Sequence, residues 1–240
     1  MNMKKYYITF ILFTFFTANS FASNYKLVQK EIKETNKEFN YTISVVYHQM
    51  EGYKDYSVQE GFNKYIYDMV NKSVKDFKRD MKGWPAIDTF QSEFDVADTI
   101  FFQNDNVISI RFDGYEYYSG SAHPTTFFIS ANYNLTENEQ IQFSDLFTGN
   151  YLKTISEYCV QDLIRQKNEY TDNPDISWIK SGAGPKLDNY EVFNILDSSL
   201  LVTFAVYQVA SYAEGPKEVN IPYIQLDKVI DNDGPLSRIF

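Results

Sequence analysis

Apolar residues change their spacing within the first half of the chain, from a helical period to a period of two. Between Ser57 and Gly83 they recur every three or four positions, which predicts one long amphipathic helix. Ser57 and Glu60 have the spacing of a capping box, so we predict that the helix begins at Ser57 and ends at Gly83. The predicted apolar stripe consists of Val58, Phe62, Tyr65, Ile66, Met69, Phe77 and Met81.

From Phe90 onward apolar and polar residues alternate, which predicts β-strands. Two alternating segments, residues 94–102 and 108–112, flank the turn sequence Asn104–Asp105–Asn106 and predict a hairpin. Further strands are predicted at residues 41–50 and 125–133, since both are rich in β-branched and aromatic residues.

The second half of the chain mixes helical and strand patterns. We predict a helix over residues 151–166, strands over 190–196 and 200–207, and another strand ending at Pro222. Residues 168–185 predict a long loop, and residues 223–230 predict a short final helix. The sequence therefore predicts an α+β fold of two small units, with mostly antiparallel sheets and one long helix in the N-terminal half.

Composition excludes several functional classes. The 240 residues carry a net charge of −10, which argues against nucleic acid as a partner, and 18% aromatic residues argue against disorder. One Cys, Cys159, cannot form an internal disulfide, and its place in a predicted helix favours a buried, unreactive thiol. Two His and one Cys are too few for the usual zinc sites, so the sequence predicts neither a metal nor a cofactor.

Residues 1–22 have the order of a secretory signal peptide: a basic start, an apolar stretch and a small-residue cleavage site. The apolar stretch is about half as long as a membrane-spanning helix, for which roughly 20 residues are needed. We therefore expect an exported protein, periplasmic or secreted, with no membrane span after cleavage. Cleavage would remove Lys4 and Lys5 and no acid, which deepens the net charge to −12.

Candidate catalytic residues are few. His48 lies within a predicted strand and favours a structural role, while His123 lies in a loop of small residues that its imidazole could hold together. Ligand binding or catalysis by His123 remains an alternative. Glu214 lies in a second small-residue loop, in which Gly215–Pro216 is typical of an ordinary turn.

Three segments resemble domains of unknown function numbered 4163 and 3298. The first is YYSGSAHP at residues 117–124, the second is FISANYNLTENEQIQFSDLF at 128–147, and the third is YQVASYAEGP at 207–216, followed by VNIPY at 219–223. Ser121 replaces the second Gly of the first motif, and Glu214 stands where a small residue is common. The resemblance implies domains at residues 25–124 and 125–240.

This domain pair is found in the extracellular part of a lysozyme-binding anti-sigma factor and in the accessory region of peptidoglycan deacetylases. We expect neither a deacetylase domain nor an anti-sigma segment here. The resemblance therefore implies the domain pair alone, without deacetylase activity or sigma-factor control. We expect a non-enzymatic binding protein that contacts peptidoglycan or a basic wall-directed protein such as lysozyme. The alternative is a small wall-glycan hydrolase or deacetylase-like enzyme that uses His123 and a nearby carboxylate such as Glu214. The candidate binding residues are Tyr117, Tyr118, His123, Tyr207 and Tyr212.

Overall fold

A computed structural model describes residues 23–85, 90–170 and 176–239. The predicted signal peptide, residues 1–22, lies outside the described residues. Within the described ranges the fold is α+β, as the sequence predicts, with two sheets and a long helix in the N-terminal half.

The first sheet has six strands, which lie in the sheet in the order in which they occur in the sequence. Its neighbouring strands are antiparallel, except that β2 and β3 are parallel and are connected through helix α1. The strands are β1 (Lys26–Asn36), β2 (Tyr41–Glu51), β3 (Ser92–Gln103), β4 (Val107–Tyr117), β5 (Thr125–Asn134) and β6 (Glu139–Gln140). The predicted hairpin is formed by β3 and β4.

Helix α1 (Tyr56–Gly83) covers one face of this sheet with the predicted apolar stripe, to which the structure adds the buried Val70 and Val74. Near the C-terminal end of the helix, the ring of Phe77 stacks on Phe94 of β3 at 5.0 Å between centroids. The helix ends at Gly83 as predicted, but the predicted start is wrong. Asp55 caps the helix, because its carboxylate accepts hydrogen bonds from the backbone N–H groups of Ser57 and Val58 and satisfies amides that have no partner within the helix.

The second unit packs helices against a three-stranded antiparallel sheet. Its elements are α2 (Tyr151–Asn168), α3 (Ser177–Gly182), β7 (Phe193–Ile195), β8 (Ser199–Phe204) and β9 (Lys217–Pro222). Helix α3 replaces part of the loop predicted at 168–185. The helix predicted at 223–230 is wrong, since only a 3₁₀ turn forms there, at Tyr223–Gln225.

The two units share a densely bonded junction. Ser109 of β4 accepts hydrogen bonds through its Oγ from the Asn194 side chain and from the backbone N–H of Ile195, both at 3.0 Å. Strand β5 pairs with β4 along its length, so the proposed division after residue 124 assigns a strand of the first sheet to the second unit. The tip of the β3–β4 hairpin also buries Phe102 and Val107 in the second unit's core.

Candidate functional site

The first and third motif segments meet at a surface cleft of about 390 Å³, beside the start of β5. One wall comes from residues 123–128, another from 188–192, and a third from 205–208 together with Tyr212. These segments are far apart in the sequence, so the cleft is created by the approach of the two units. The described residues that line it are His123, Thr125, Thr126, Phe127, Phe128, Asp188, Asn189, Glu191, Val192, Ala205, Val206, Tyr207, Gln208 and Tyr212.

His123 and Tyr212 form a stacked pair in this cleft, with ring centroids 4.1 Å apart. The Tyr212 hydroxyl donates a hydrogen bond to the carbonyl oxygen of Pro124 at 2.8 Å, and His123 Nδ1 lies 2.9 Å from the same oxygen. A carbonyl oxygen can only accept, so we assign the proton to Nδ1; in the neutral ring, Nε2 is then an acceptor. The imidazole is thereby fixed in orientation while the side chain stays exposed.

Tyr207 extends the row of rings, with its centroid 5.7 Å from that of Tyr212. Its side chain is 53% exposed, and its backbone has a φ of 67°, which a bulky residue rarely adopts. The backbone carbonyl of Tyr207 accepts a hydrogen bond from the indole N–H of Trp178 at 2.9 Å, which helps to hold this conformation. We call the row of His123, Tyr212 and Tyr207 the ring row.

Gln208 ties the loop of the ring row to the rest of the second unit. Its side-chain amide donates to the carbonyl oxygens of Gly182 and Asn189, and its Oε1 accepts from the backbone N–H of Ala205. These three bonds fix the loop on a half-buried side chain, so the exposed rings project from an anchored loop.

Two carboxylates, Asp188 and Glu191, line the opposite wall of the cleft. Neither forms an ion pair in the described part of the chain, and none of the described lining residues is Lys or Arg. The cleft therefore presents aromatic faces, amide groups and negative charge, which suits a neutral or cationic ligand better than an anionic one.

The other predicted binding residues lie elsewhere. Tyr118 packs against Phe77 and Trp84 at the end of α1, at 5.6 and 4.9 Å between centroids, and burial raises its pKa to about 12. Tyr117 is half-buried in β4, opposite Glu93. Neither Tyr117 nor Tyr118 is among the lining residues of the cleft, so the structure brings together three of the five.

Glu214 lies beside a different and much smaller cavity, with Lys167 and Lys217. Its carboxylate is 3.6 Å from Lys167 Nζ, and it accepts a hydrogen bond from Ser211 at 3.2 Å. Burial opposes ionisation, but the Lys167 charge and the Ser211 bonds prevail and lower the pKa of Glu214. Glu214 is thus an ionised partner of a lysine and does not line the cleft with His123.

The remaining sequence candidates are placed away from the cleft. His48 lies on β2, where its Nδ1 is 2.8 Å from the carboxylate of Asp98. Cys159 is buried in α2, and burial raises the pKa of its thiol. Within the described ranges, no group of three or more His, Cys, Asp or Glu is positioned to hold a metal ion, and no helix there is long and apolar enough to cross a membrane.

Among the residues of the site that sequence reasoning missed are Trp178, Asp188, Glu191 and Gln208. Gln208 lies inside the third motif, so that motif could have identified it. The other three lie outside every motif, in residues 176–192, where the sequence offers no pattern that points to the cleft.

Two family models match separate parts of the chain. Residues 18–126 match the model described as "Deacetylase PdaC", and residues 144–224 match the model described as "Protein of unknown function (DUF3298)". The resemblance to the domain numbered 3298 is confirmed. For the N-terminal segment, the motifs predicted the family numbered 4163, but the model that matches is the one described as "Deacetylase PdaC".

The chain is similar to a curated protein and to solved structures of DUF3298 family members. It is 26% identical over 153 residues to the peptidoglycan-N-acetylmuramic acid deacetylase PdaC of Bacillus subtilis strain 168; the match covers 62% of this chain and only 32% of that protein. A DUF3298 family member from Bacteroides fragilis NCTC 9343 superposes with a TM-score of 0.66 at 16% identity, covering 90% of this chain and 96% of the other. A DUF3298 family protein from Pseudomonas aeruginosa PAO1 gives 0.61 at 11% identity, covering 86% and 94%. These two likenesses establish the fold.

Proposed function

We propose that this protein is an exported, non-catalytic binding module of the cell envelope, and that its cleft binds the glycan of peptidoglycan. The observation that carries the proposal is the ring row, formed by His123, Tyr212 and Tyr207 along an open cleft. Aromatic faces pack against the apolar faces of sugar rings, while the Asp188 and Glu191 carboxylates can accept hydrogen bonds from hydroxyl and amide N–H groups. The cleft volume lies within the roughly 300–1,000 Å³ that is usual for ligand pockets.

The similarity to a peptidoglycan deacetylase supports the choice of ligand. The relative's name states that it acts on peptidoglycan N-acetylmuramic acid, and this chain matches about a third of that protein's length. A shared segment that binds the same polymer would explain the similarity without any shared chemistry. We therefore propose the polymer as ligand, and deacetylation is not part of the proposal.

The geometry of His123 favours binding over catalysis. A histidine base is usually oriented by a carboxylate, which also stabilises the imidazolium that forms. In this protein the backbone carbonyl of Pro124, and not a carboxylate, orients the His123 imidazole. The Glu214 carboxylate pairs with Lys167 beside another cavity. The enzyme alternative now depends on His123 together with Asp188 or Glu191, which line the same cleft.

A basic wall-directed protein such as lysozyme is the second candidate ligand. The net charge of −10 favours it, as do Asp188 and Glu191, which form no ion pair with any described residue, because opposite charge accelerates association. Such binding would weaken steeply as salt rises, whereas binding of a neutral glycan would depend little on salt.

The experiment is to sediment residues 23–240 with purified insoluble peptidoglycan, and separately to measure binding to lysozyme at low and high salt. We expect cosedimentation that is insensitive to salt and is weakened about tenfold by Tyr212→Ala, because a buried aromatic contact contributes roughly 1–2 kcal/mol at a binding site. Tyr56→Ala is the matched control, since Tyr56 is 71% exposed at the start of α1 and distant in sequence from both motif loops.

Three outcomes would contradict the proposal. Lack of binding to peptidoglycan would reject the ligand, and salt-sensitive capture of lysozyme alone would favour the second candidate. Release of acetate or soluble saccharide that His123→Ala abolishes would show an enzyme.

A further inference from the structure

A second cavity, of about 400 Å³, adjoins the cleft. Asp188 and Glu191 line both cavities, so the two spaces are contiguous along β5. The first lies beside residues 125–128 and the second beside Ser130 and Asn132 of the same strand. The described residues that line the second cavity are Ser130, Asn132, Gln140, Ile141, Gln142, Phe143, Ser144, Leu187, Asp188, Tyr190, Glu191 and Phe193.

The alternation of β5 directs a polar face toward this cavity. Ile129 and Ala131 belong to the core beneath α1, while Ser130 and Asn132 have the opposite parity and line the cavity. Asn132 is only 2% exposed, and its side-chain amide donates to the carbonyl oxygen of Phe193 at 2.9 Å. This bond fixes the orientation of the amide relative to the second unit.

Two buried oxygens on this face have no hydrogen-bond partner among the described residues. They are Asn132 Oδ1 and Ser130 Oγ. A buried polar atom without a partner costs roughly 1–3 kcal/mol, so two of them on one strand face call for an explanation. The Asn oxygen requires a donor, and the Ser hydroxyl can accept or donate. A ligand rich in hydroxyl or amide N–H groups would satisfy both.

The other polar lining groups fit the same ligand chemistry. Gln140, Gln142 and Ser144 contribute amide and hydroxyl groups, and none of the described lining residues is Lys or Arg. The apolar base is rigid, because Phe143 and Tyr190 stack at 5.4 Å and both are buried. A neutral, hydroxyl-rich and amide-bearing molecule is what this combination of groups can recognise.

We propose that the second cavity is a saccharide subsite, so that the cleft and the cavity together bind at least two linked sugar units. One sugar stacks on the ring row, and the next donates hydroxyl or acetamido N–H groups to Ser130 and Asn132. Asp188 and Glu191 accept hydrogen bonds between the two subsites. This inference rests on the proposed glycan function. It specifies in addition that the ligand has at least two linked sugar units and carries hydroxyl or acetamido N–H donors.

The test is calorimetric titration of residues 23–240 with N-acetylglucosamine and its di- and tetrasaccharides. We expect affinity to rise about tenfold or more from the monosaccharide to the disaccharide. Ser130→Ala and Gln140→Ala should each lower disaccharide affinity about threefold to tenfold, the range of one hydrogen bond, and should leave monosaccharide affinity unchanged. Tyr212→Ala should weaken binding of all three sugars.

Matched controls separate a lost contact from a damaged fold. Ser44→Ala changes another half-buried strand serine, and Gln161→Ala changes another exposed glutamine; neither residue lines the two cavities. Both controls should bind as the unchanged protein does. Thermal melting of each variant should give one unchanged midpoint.

The outcomes distinguish the two proposals. If the unchanged protein sediments with peptidoglycan but binds no oligomer, this inference fails and the glycan function stands; if it binds neither, both fail. If it binds all three sugars equally, and Ser130→Ala and Gln140→Ala have no effect while Tyr212→Ala does, only the second subsite is rejected.

Discussion

His48 and Asp98 form a charge-assisted pair between neighbouring strands. The Asp98 side chain is fully buried; it accepts hydrogen bonds from the backbone N–H of His48 at 2.8 Å and from the imidazole at 2.8 Å. In the sequence Asp98 merely interrupts an apolar strand face. The structure supplies the reason, since the carboxylate needs a partner and His48 provides two donors.

The pair predicts that stability falls as pH rises. The hydrogen bond to Asp98 and its charge outweigh burial and raise the pKa of His48 above its unfolded value of about 6.5. Protonation then favours the folded state, so this contribution is complete below about pH 6.5 and is lost as pH rises through the raised folded pKa. We expect the free energy of unfolding in urea to decrease over this window. His48→Gln should flatten the dependence. An unchanged slope in His48→Gln would count against the pair.

Helix α3 and the ring-row loop are packed so closely that their contact requires a glycine. A Cβ at Gly182 would lie 1.9 Å from the backbone oxygen of Gln208. This is the loop that Gln208 anchors and from which Tyr207 and Tyr212 project. The position of the ring row therefore depends on the missing side chain at the last residue of α3.

We expect Gly182→Ala to lower the free energy of unfolding by about 1–3 kcal/mol, the usual range for overpacking, because backbone must move to admit the methyl group. The control is Gly83→Ala at the last residue of α1, where a Cβ would meet nothing within 4 Å. There the substitution should be neutral or stabilising by up to about 1 kcal/mol. Urea unfolding of both variants measures the difference. Equal changes in the free energy of unfolding for the two variants would show that Gly182 and the Gln208 backbone are not in close contact in solution.

Elements with a strong apolar period could be predicted from sequence. The α1 stripe and the β3–β4 hairpin are examples, because burial on one face dictates their pattern. Strand β1 was missed, since KLVQKEIKETN carries charges at many positions and only pairing with β2 makes it a strand. Such charges are usual on an edge strand, where they discourage pairing with other chains.

The site was less predictable than the fold for a related reason. The motifs located His123, Tyr207 and Tyr212, but they could not show which motif tyrosines turn inward. Tyr118 packs beside α1, while Asp188 and Glu191 reach the cleft only because residues far apart in sequence meet. The spacing of apolar residues in a segment shows which face of that helix or strand is buried. It does not show which distant segments meet to form a cleft between the two units.

Arg111 joins the two units into one molecule. Its side chain is only 11% exposed; the guanidinium donates to Asp113 on its own strand and to Thr203 and Glu218 of the second sheet. The rings of Phe101 and Phe128 lie 5.0 and 5.1 Å from it. With the Ser109 contacts, this junction couples the stability of both cores.

The coupling predicts a single unfolding transition. The chain contains two tryptophans; Trp84 lies at the end of α1 and Trp178 in α3, so each unit carries one fluorescent reporter. We expect Trp84→Phe and Trp178→Phe to show the same fluorescence midpoint in urea as their own far-ultraviolet circular dichroism, which is the criterion for two-state unfolding. Separate fluorescence and dichroism midpoints within either variant would show that the units unfold independently.

The order of the six strands bears on how the chain folds as it is made. Each strand of the first sheet pairs with the one that precedes it in the sequence, so no strand has to wait for a partner synthesised much later. Only the β2–β3 pair joins strands that are far apart in the sequence. Helix α1 forms from local contacts within that connection and so reduces the distance between the two strands. A chain that emerges N-terminus first can therefore extend this sheet strand by strand. Each added strand covers the edge left by the one before it and limits the time for which a bare edge is open to other chains.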